Sequence, residues 1–379
     1  MSFLEYRVKT VPSGLAKVLY VNWALVILLV AVASAGFLML TSVAGGDTGT
    51  WAEPQAKRFA AGLVVLFFVA FVPIWFWRNM AGLAYLVSLL LLVLVDLFGS
   101  VGMGAQRWLD LGFITLQPSE MMKFTLVMML AAYYDWLDPK KTSRPLWVTI
   151  PVLMIAAPTV LVLMQPNLGT SVVMLAGGAI VMFLAGVSVW YFAVVIGLGA
   201  GAVAAVFLTR GTPWQLLLDY QYARIDTFLD PSADPLGAGY NILQAKIALG
   251  SGGWTGRGFM QGTQSRLNFL PEKQTDFIFT ILAEEFGFVG AFSVVMLYVL
   301  IILFCVVSAI QNRDRFSQLL ILGVAANFFL YLAVNLSMVM GLAPVVGIPL
   351  PFLSWGGSAM LVMMAAFGLV QSAHIHRPR

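Results

Sequence analysis

The sequence predicts an all-α polytopic membrane protein of about ten transmembrane helices, with one large extracytoplasmic loop between spans 7 and 8. Three observations carry this. Of 379 residues, 60% are hydrophobic and only 10% are charged, 21 Lys plus Arg against 17 Asp plus Glu, whereas a soluble chain carries about 25% charged residues. A water-facing globule is excluded. Apolar runs of crossing length recur through the whole chain, and at roughly 20 residues per crossing about ten of them use more than half of it. The basic residues, finally, divide unequally between alternate connections.

The predicted spans lie near 18–40, 60–76, 81–97, 119–136, 147–164, 170–185, 189–208, 287–310, 318–340 and 357–373. The first follows a polar stretch with no small-residue cleavage site and reads as a retained span. One set of connections collects Arg7, Lys9, Lys17, Arg78, Lys140, Lys141, Arg144, Arg313, Arg315, Arg377 and Arg379; the other has Lys57, Arg58 and Arg107. The positive-inside rule therefore predicts cytoplasmic termini, an even number of spans and an extracytoplasmic connection over 209–275. Residues 1–379 read as a single transmembrane domain containing that loop. The net charge of +4 comes from scattered loop residues, so no nucleic-acid partner is implied. Cys305 is alone, and His374 and His376 lie at the extreme C-terminus, which leaves no disulfide framework and no Cys- or His-built metal centre.

Connection 209–275 holds Arg224, Asp226, Asp230, Asp234, Lys246, Arg257, Arg266, Glu272 and Lys273. A connection this long in a compact protein is functional or disordered, and its interleaved apolar residues (Ile242, Leu243, Ile247, Leu249, Leu267, Phe269, Leu270) argue against disorder. Residues 240–249 predict a short amphipathic helix on the membrane surface, followed by a glycine-rich turn over 250–262. No tandem repeat is visible.

Charge within lipid costs about 2.5 kcal/mol or more, so each ionisable residue near a span needs a reason. Glu120 and Lys123 in Gln117, Pro118, Ser119, Glu120, Met121, Met122, Lys123 are three apart, on one helical face and within ion-pair reach. Pro118 suits the first turn, and the helix presents its positive end outward, toward an anionic ligand. A structural ion pair locking two helices is the plainer reading. Asp276 is predicted to open a short extra helix over 276–286: either an N-cap that satisfies free backbone donors, or a carboxylate placed to take a proton from a hydroxyl. Arg107, Arg224, Lys246, Arg257, Arg266 and Lys273 are individually ordinary loop charges; together they suit an anionic headgroup, because Arg forks match phosphate oxygens and Lys supplies a point charge. Residues 341–357 contain Pro344, Pro349, Pro351, Gly347, Gly356 and Gly357 with no charge, the composition of a re-entrant segment covered by protein. Asp96, near the outer end of its span, reads as a snorkelling end residue.

These motifs resemble, over essentially the whole chain, the SEDS membrane proteins of bacterial shape, elongation, division and sporulation. The resemblance rests on residues 104–108, 117–123, 165–170 (Gln, Pro, Asn, Leu, Gly, Thr), 268–287 and 347–358 (Gly, Ile, Pro, Leu, Pro, Phe, Leu, Ser, Trp, Gly, Gly, Ser), in the family's order. Residues 263–271, with Phe352 and Trp355, look more like the elongation branch than the division branch. The resemblance implies a multi-pass protein of the bacterial inner membrane, with its active site on the extracytoplasmic side. It implies an inverting peptidoglycan glycosyltransferase that extends glycan strands from lipid II, the undecaprenyl pyrophosphate-linked disaccharide pentapeptide, for cell elongation and rod-shape maintenance. A class B penicillin-binding protein of the elongation machinery is the implied partner, beside membrane lipids. The family's essential carboxylate falls on Asp276, and its fourth-span glutamate and lysine on Glu120 and Lys123. Asn167 departs from the family's usual Asp, which puts in doubt any electrostatic or cation-binding role for that position.

The expected site is therefore catalytic Asp276, Glu120 and Lys123, with substrate held by Arg107, Arg266, Lys273, Gln117, Ser119 and Thr275. Asp276 takes the proton, Glu120 and Lys123 orient it or the sugar, and the cations, with a divalent ion such as Mg or Mn as an additional expectation, stabilise the leaving pyrophosphate. A lipid II flippase or secondary transporter is the alternative, since broken segments and an intramembrane ion pair also describe transporters. A scaffold that only recruits the penicillin-binding protein is the third reading.

Overall fold

The computed structural model describes residues 14–102, 105–110, 112, 115–212, 214–216, 218, 222, 225–226, 228–230, 239–267 and 269–377. Arg7, Lys9, Gly104, Arg224, Asp234, Asn268 and Arg379 lie outside the described residues. A 3-10 turn, Gly14–Tyr20, leads into α1 (Trp23–Val43), α2 (Ala52–Phe71), α3 (Ile74–Phe98), α4 (Pro118–Trp136), α5 (Pro145–Met164), α6 (Leu168–Leu184) and α7 (Val189–Leu208). Two short helices follow, α8 (Tyr240–Ser251) and α9 (Thr263–Arg266), then α10 (Ile278–Gln311), α11 (Arg315–Val339) and α12 (Ser358–Ile375).

Eight of these helices are long and apolar enough to cross a membrane. The other two that occupy expected spans are α4, which carries Glu120, Lys123 and Asp135, and α6, which has 17 residues. Local chemistry sets the helix starts. Pro118 and Pro145 occupy first turns, while Asn22, Asn167 and Asp314 accept hydrogen bonds from the backbone of the first turns of α1, α6 and α11. The bundle is centred on α11, which packs against α4, α6 and α10, while α12 lies along α2 and α3 along α4. Fully buried Tyr298, Phe328 and Phe367 join α10, α11 and α12. By contrast α7 buries none of its residues and lies at the periphery.

One end of the bundle is locked by charge. Arg78 at the start of α3 pairs with Asp314 and lies 3.4 Å from Asp135, and Arg315 donates to the Ala185 carbonyl at 3.0 Å. Connection 99–117 lies at the opposite end and adds a small strand element to the all-α bundle. It holds a three-stranded antiparallel sheet, β1 (Ser100–Gly102), β2 (Ala105–Asp110) and β3 (Thr115–Leu116), with Leu109 paired to Leu116. Strands this short carry too little alternation to be read from sequence.

Two local expectations gain detail. Helix α8 buries Ile242, Ala245 and Ala248 against the bundle, packing on α10 and α11. The predicted helix over 276–286 starts two residues later: Phe277 is the cap residue, without a side-chain cap bond, and Asp276 precedes it. That helix runs into the next span through a kink at Gly287, whose φ of 66° favours glycine.

The kink frees backbone groups that must find partners. The glycine-rich turn supplies them: Arg257 and Gly258 donate to the Glu284 and Glu285 carbonyls at 3.0 and 2.9 Å, and Phe288 and Val289 donate to the Gly253 and Trp254 carbonyls at 2.8 and 3.1 Å. A Cβ at Gly287 would lie 2.3 Å from the Gly256 nitrogen, and one at Gly256 only 2.1 Å from the Glu285 carbonyl oxygen. Glycine at both positions is what lets the two backbones meet.

Candidate active site

Asp276 sits at the end of the bundle away from the Arg78 lock, where the segment Glu272–Phe277 meets the uncharged 341–357 segment. Backbone bonds stitch the two together. Trp355 donates to the Gln274 carbonyl at 2.8 Å, and the Ser354 hydroxyl donates to the Thr275 carbonyl at 2.6 Å while accepting from the Leu350 N–H at 2.9 Å. Asn335 of α11 donates to the carbonyls of both Asp276 and Ile348, at 2.9 and 2.7 Å. Gly347, at φ 69°, brings its bare Cα against the carboxylate: a Cβ there would be 3.6 Å from Asp276 Oδ2. Burial, and then repulsion from Glu272, push the Asp276 carboxyl up to about 6. A carboxyl tuned there matches a proton acceptor working near neutral pH.

Thr275 donates to the backbone carbonyl and the carboxylate of Glu272, both at 3.2 Å, and Gln274 to the same carboxylate at 3.2 Å. These bonds shape the turn whose outgoing residue is Asp276.

Glu120 and Lys123 form a different kind of site. Their ion pair of 2.7 Å is buried at the α4–α11 interface, where the Tyr331 hydroxyl donates to Glu120 Oε2 at 2.6 Å and accepts from the Lys123 ammonium. The ammonium also lies 4.3 Å from the centroid of the Tyr331 ring. Tyr331 and Asn335 are four residues apart on one face of α11, so the pair and Asp276 are tied to points about 6 Å apart along that helix, with Asp276 nearer its C-terminal end. The structure thus joins them through α11, and bonds Glu120 and Lys123 to each other and to Tyr331. A narrow cavity lined by Glu120, Tyr331, Pro349, Ser354 and Trp355 runs beside them.

The expected substrate-binding residues separate into groups. Arg107 directs its guanidinium onto the Gln165 carbonyl at 3.1 Å and the Pro166 carbonyl, fixing the α5–α6 turn. Gln117 precedes α4 and donates its backbone N–H to Ser358 at 3.3 Å, and Ser119 is buried behind it. Arg266 and Lys273 line one open basin together with Ser42 and Glu285. Asn167 is a buried cap, accepting from the Thr170 N–H at 3.3 Å. Among the described residues no group of three or more His, Cys, Asp or Glu side chains is placed to hold a metal ion. Asp96 has no part in these contacts.

Sequence reasoning missed Tyr331, Asn335 and Gln55, the last of which holds the Ser354 carbonyl at 2.9 Å from α2. A signal was there: Asn327, Tyr331 and Asn335 repeat every fourth residue through an otherwise apolar span, which places them on one face.

Membrane-crossing helices that hold a largely enclosed carboxyl, Asp276, at one end of the bundle, with Lys273 on the same turn lining an open polar basin, are the makings of an integral-membrane enzyme. The particular family follows from comparison. The family model described as "Cell cycle protein" (FtsW, RodA, SpoVE) matches residues 16–379, and the chain belongs to that family. It is 42% identical over 356 residues to the peptidoglycan glycosyltransferase MrdB of Escherichia coli (strain K12), covering 93% of each chain. It is 34% identical to the stage V sporulation protein E of Bacillus subtilis (strain 168), covering 91% of this chain and 94% of that one. Among solved structures, a chain from "Structural coordination of polymerization and crosslinking by a peptidoglycan synthase complex" superposes with a TM-score of 0.80 at 30% identity, covering 93% of this chain and 97% of that one. The rod shape determining protein RodA of Thermus thermophilus superposes with a TM-score of 0.71 at 28% identity, covering 95% and 98%.

Proposed function

We infer that this chain is a peptidoglycan glycosyltransferase that polymerises lipid II into glycan strands for cell elongation. Asp276 carries the mechanistic part: a mostly buried carboxyl, raised to about 6, fixed by backbone bonds on both sides. In the proposed reaction the acceptor sugar hydroxyl attacks the anomeric carbon of the donor. Its proton passes to Asp276, the new glycosidic C–O bond forms, and the bond to pyrophosphate breaks with its electron pair leaving on the polyprenyl pyrophosphate. A single displacement converts the α-linked donor to a β-linked product, so no covalent enzyme intermediate is required.

Glu120 and Lys123 act on this site through α11, as positioning residues. A divalent ion such as Mg or Mn, carried chiefly by the pyrophosphate oxygens, would add to the charge stabilisation of the leaving group. The Lys and Arg bias puts the Arg78–Asp314 end and both termini in the cytoplasm, and Asp276 on the extracytoplasmic side of the inner membrane. The similarity to a chain of a peptidoglycan synthase complex that polymerises and crosslinks supports a crosslinking partner; we assign it to the class B penicillin-binding proteins.

The test is to incubate the purified chain, with that partner, with labelled lipid II in vesicles. Glycan polymer supports the reading. Leaflet exchange without polymer would instead identify a flippase, and neither activity would leave a scaffold.

A further inference from the structure

The basin that collects Arg266 and Lys273 has features that pyrophosphate binding does not use. It is open, about 710 Å³ in volume, and lies between the C-terminal end of α1 and the turn Phe259–Gln261, with more room than a phosphate group needs. Glu285, only 1% exposed, forms part of its lining. One carboxyl oxygen of Glu285 accepts from the Ser42 hydroxyl, and the Met260 backbone N–H also faces the carboxyl. The other oxygen, Oε2, is buried with no hydrogen-bond partner. A buried acceptor left unpaired is costly, and a ligand N–H that reaches it recovers that cost. The neighbouring Glu284 is accounted for: it accepts from the Thr263 N–H and hydroxyl, both at 2.8 Å, and so anchors α9. The basin therefore offers two cations to carboxylates and one buried carboxyl to an N–H or ammonium group.

We propose that this basin binds the stem peptide of the substrate, the zwitterionic peptide carried on the muramoyl sugar, with its carboxylates on Arg266 and Lys273 and an N–H donor on Glu285. The assignment rests on the glycosyltransferase reading and names a subsite within it. Lys273 precedes Asp276 by three residues, which sets one of the basin's cations on the same turn as the proposed proton acceptor. Binding energy gained there holds the sugar hydroxyl near the carboxylate, remote from the bond that changes.

The experiment compares kcat/KM for lipid II bearing its full pentapeptide and lipid II bearing only the first alanine, using the full chain with its crosslinking partner. The wild type should favour the pentapeptide form by about tenfold, and both R266A, at an exposed position, and E285Q should bring the ratio close to one. Direct binding of soluble muramoyl pentapeptide to the wild type, weakened about tenfold by R266A, provides a readout that does not depend on E285Q folding. Equal kcat/KM for the two lipids in the wild type, or a preference that R266A leaves intact, would overturn the assignment while leaving the polymerase reading standing. Polymer from neither lipid would overturn the polymerase reading and this subsite with it.

Discussion

Two carboxyl groups at α11 show how the same side-chain chemistry serves opposite ends. Glu120 is enclosed with Lys123 and Tyr331, and both of its oxygens accept from a donor. Asp276 is partly buried beside another carboxylate, so its environment favours the protonated form. The first arrangement is a stable lock between α4 and α11; the second keeps a proton acceptor poised. Burial alone does not separate the two. What separates them is that Glu120 has a donor on each carboxyl oxygen, whereas Asp276 has a second carboxylate nearby.

This contrast can be broken from either side. The largest effect is expected at Asp276. Asp276→Asn should lower polymerisation by about 100-fold or more, measured as glycan polymer per folded molecule. It should also raise the thermal midpoint at pH 7.5, because removing a buried charge removes its cost. The sign follows from the raised carboxyl. Protonation is favoured in the fold, so the stabilisation it gives is present at low pH and is lost as pH rises through about 6. Wild-type turnover should move the opposite way, falling as pH drops through about 6, since the acceptor form is the carboxylate.

At the lock, Glu120→Gln should destabilise the fold by about 3 kcal/mol, the cost of leaving Lys123 buried without its partner. The double variant Glu120→Gln, Lys123→Met should recover part of that loss in a thermal melt. A double variant no more stable than the single one would show that the pair does more than join helices. Gly347→Ala comes next: the positive φ makes a Cβ unfavourable, costing about 1 kcal/mol or more, and the new methyl group abuts the Asp276 carboxylate. Turnover should fall further than the loss of folded protein explains. The smallest effect on turnover belongs to Tyr331→Phe, which removes the hydroxyl that donates to Glu120 and accepts from Lys123 and should cost about 1.5–2 kcal/mol in stability, leaving the pH profile of turnover in place.

The two carboxylates also differ in how far the sequence discloses them. Glu120 and Lys123 are legible because their partnership is local: three residues apart in a helix, they must meet. Tyr331 completes that cluster from more than two hundred residues away, and no local pattern states such a pairing, although the four-residue spacing of Asn327, Tyr331 and Asn335 marks the face it comes from. Spans are legible because each helix satisfies its own backbone. The sheet after α3 and the pairing of the glycine-rich turn with the Gly287 kink are not, because their backbone partners lie in distant or weakly patterned segments. Arg107 illustrates the same limit: its type fits phosphate, and nothing local in the sequence states that its guanidinium also bonds the Gln165 and Pro166 carbonyls. Asp276 itself is ambiguous in the sequence between a cap and a proton acceptor, and a helix that starts at Ile278 with Phe277 in the cap position removes the first reading.

The pH dependence of lipid II polymerisation by the purified chain and its crosslinking partner, wild type against Asp276→Asn, addresses the role of Asp276 most directly. Wild-type turnover should titrate with a midpoint near 6, and the Asn variant should make almost no polymer at any pH. Near-normal polymer from the Asn variant, or a wild-type rate flat across that range, would contradict a proton-accepting Asp276.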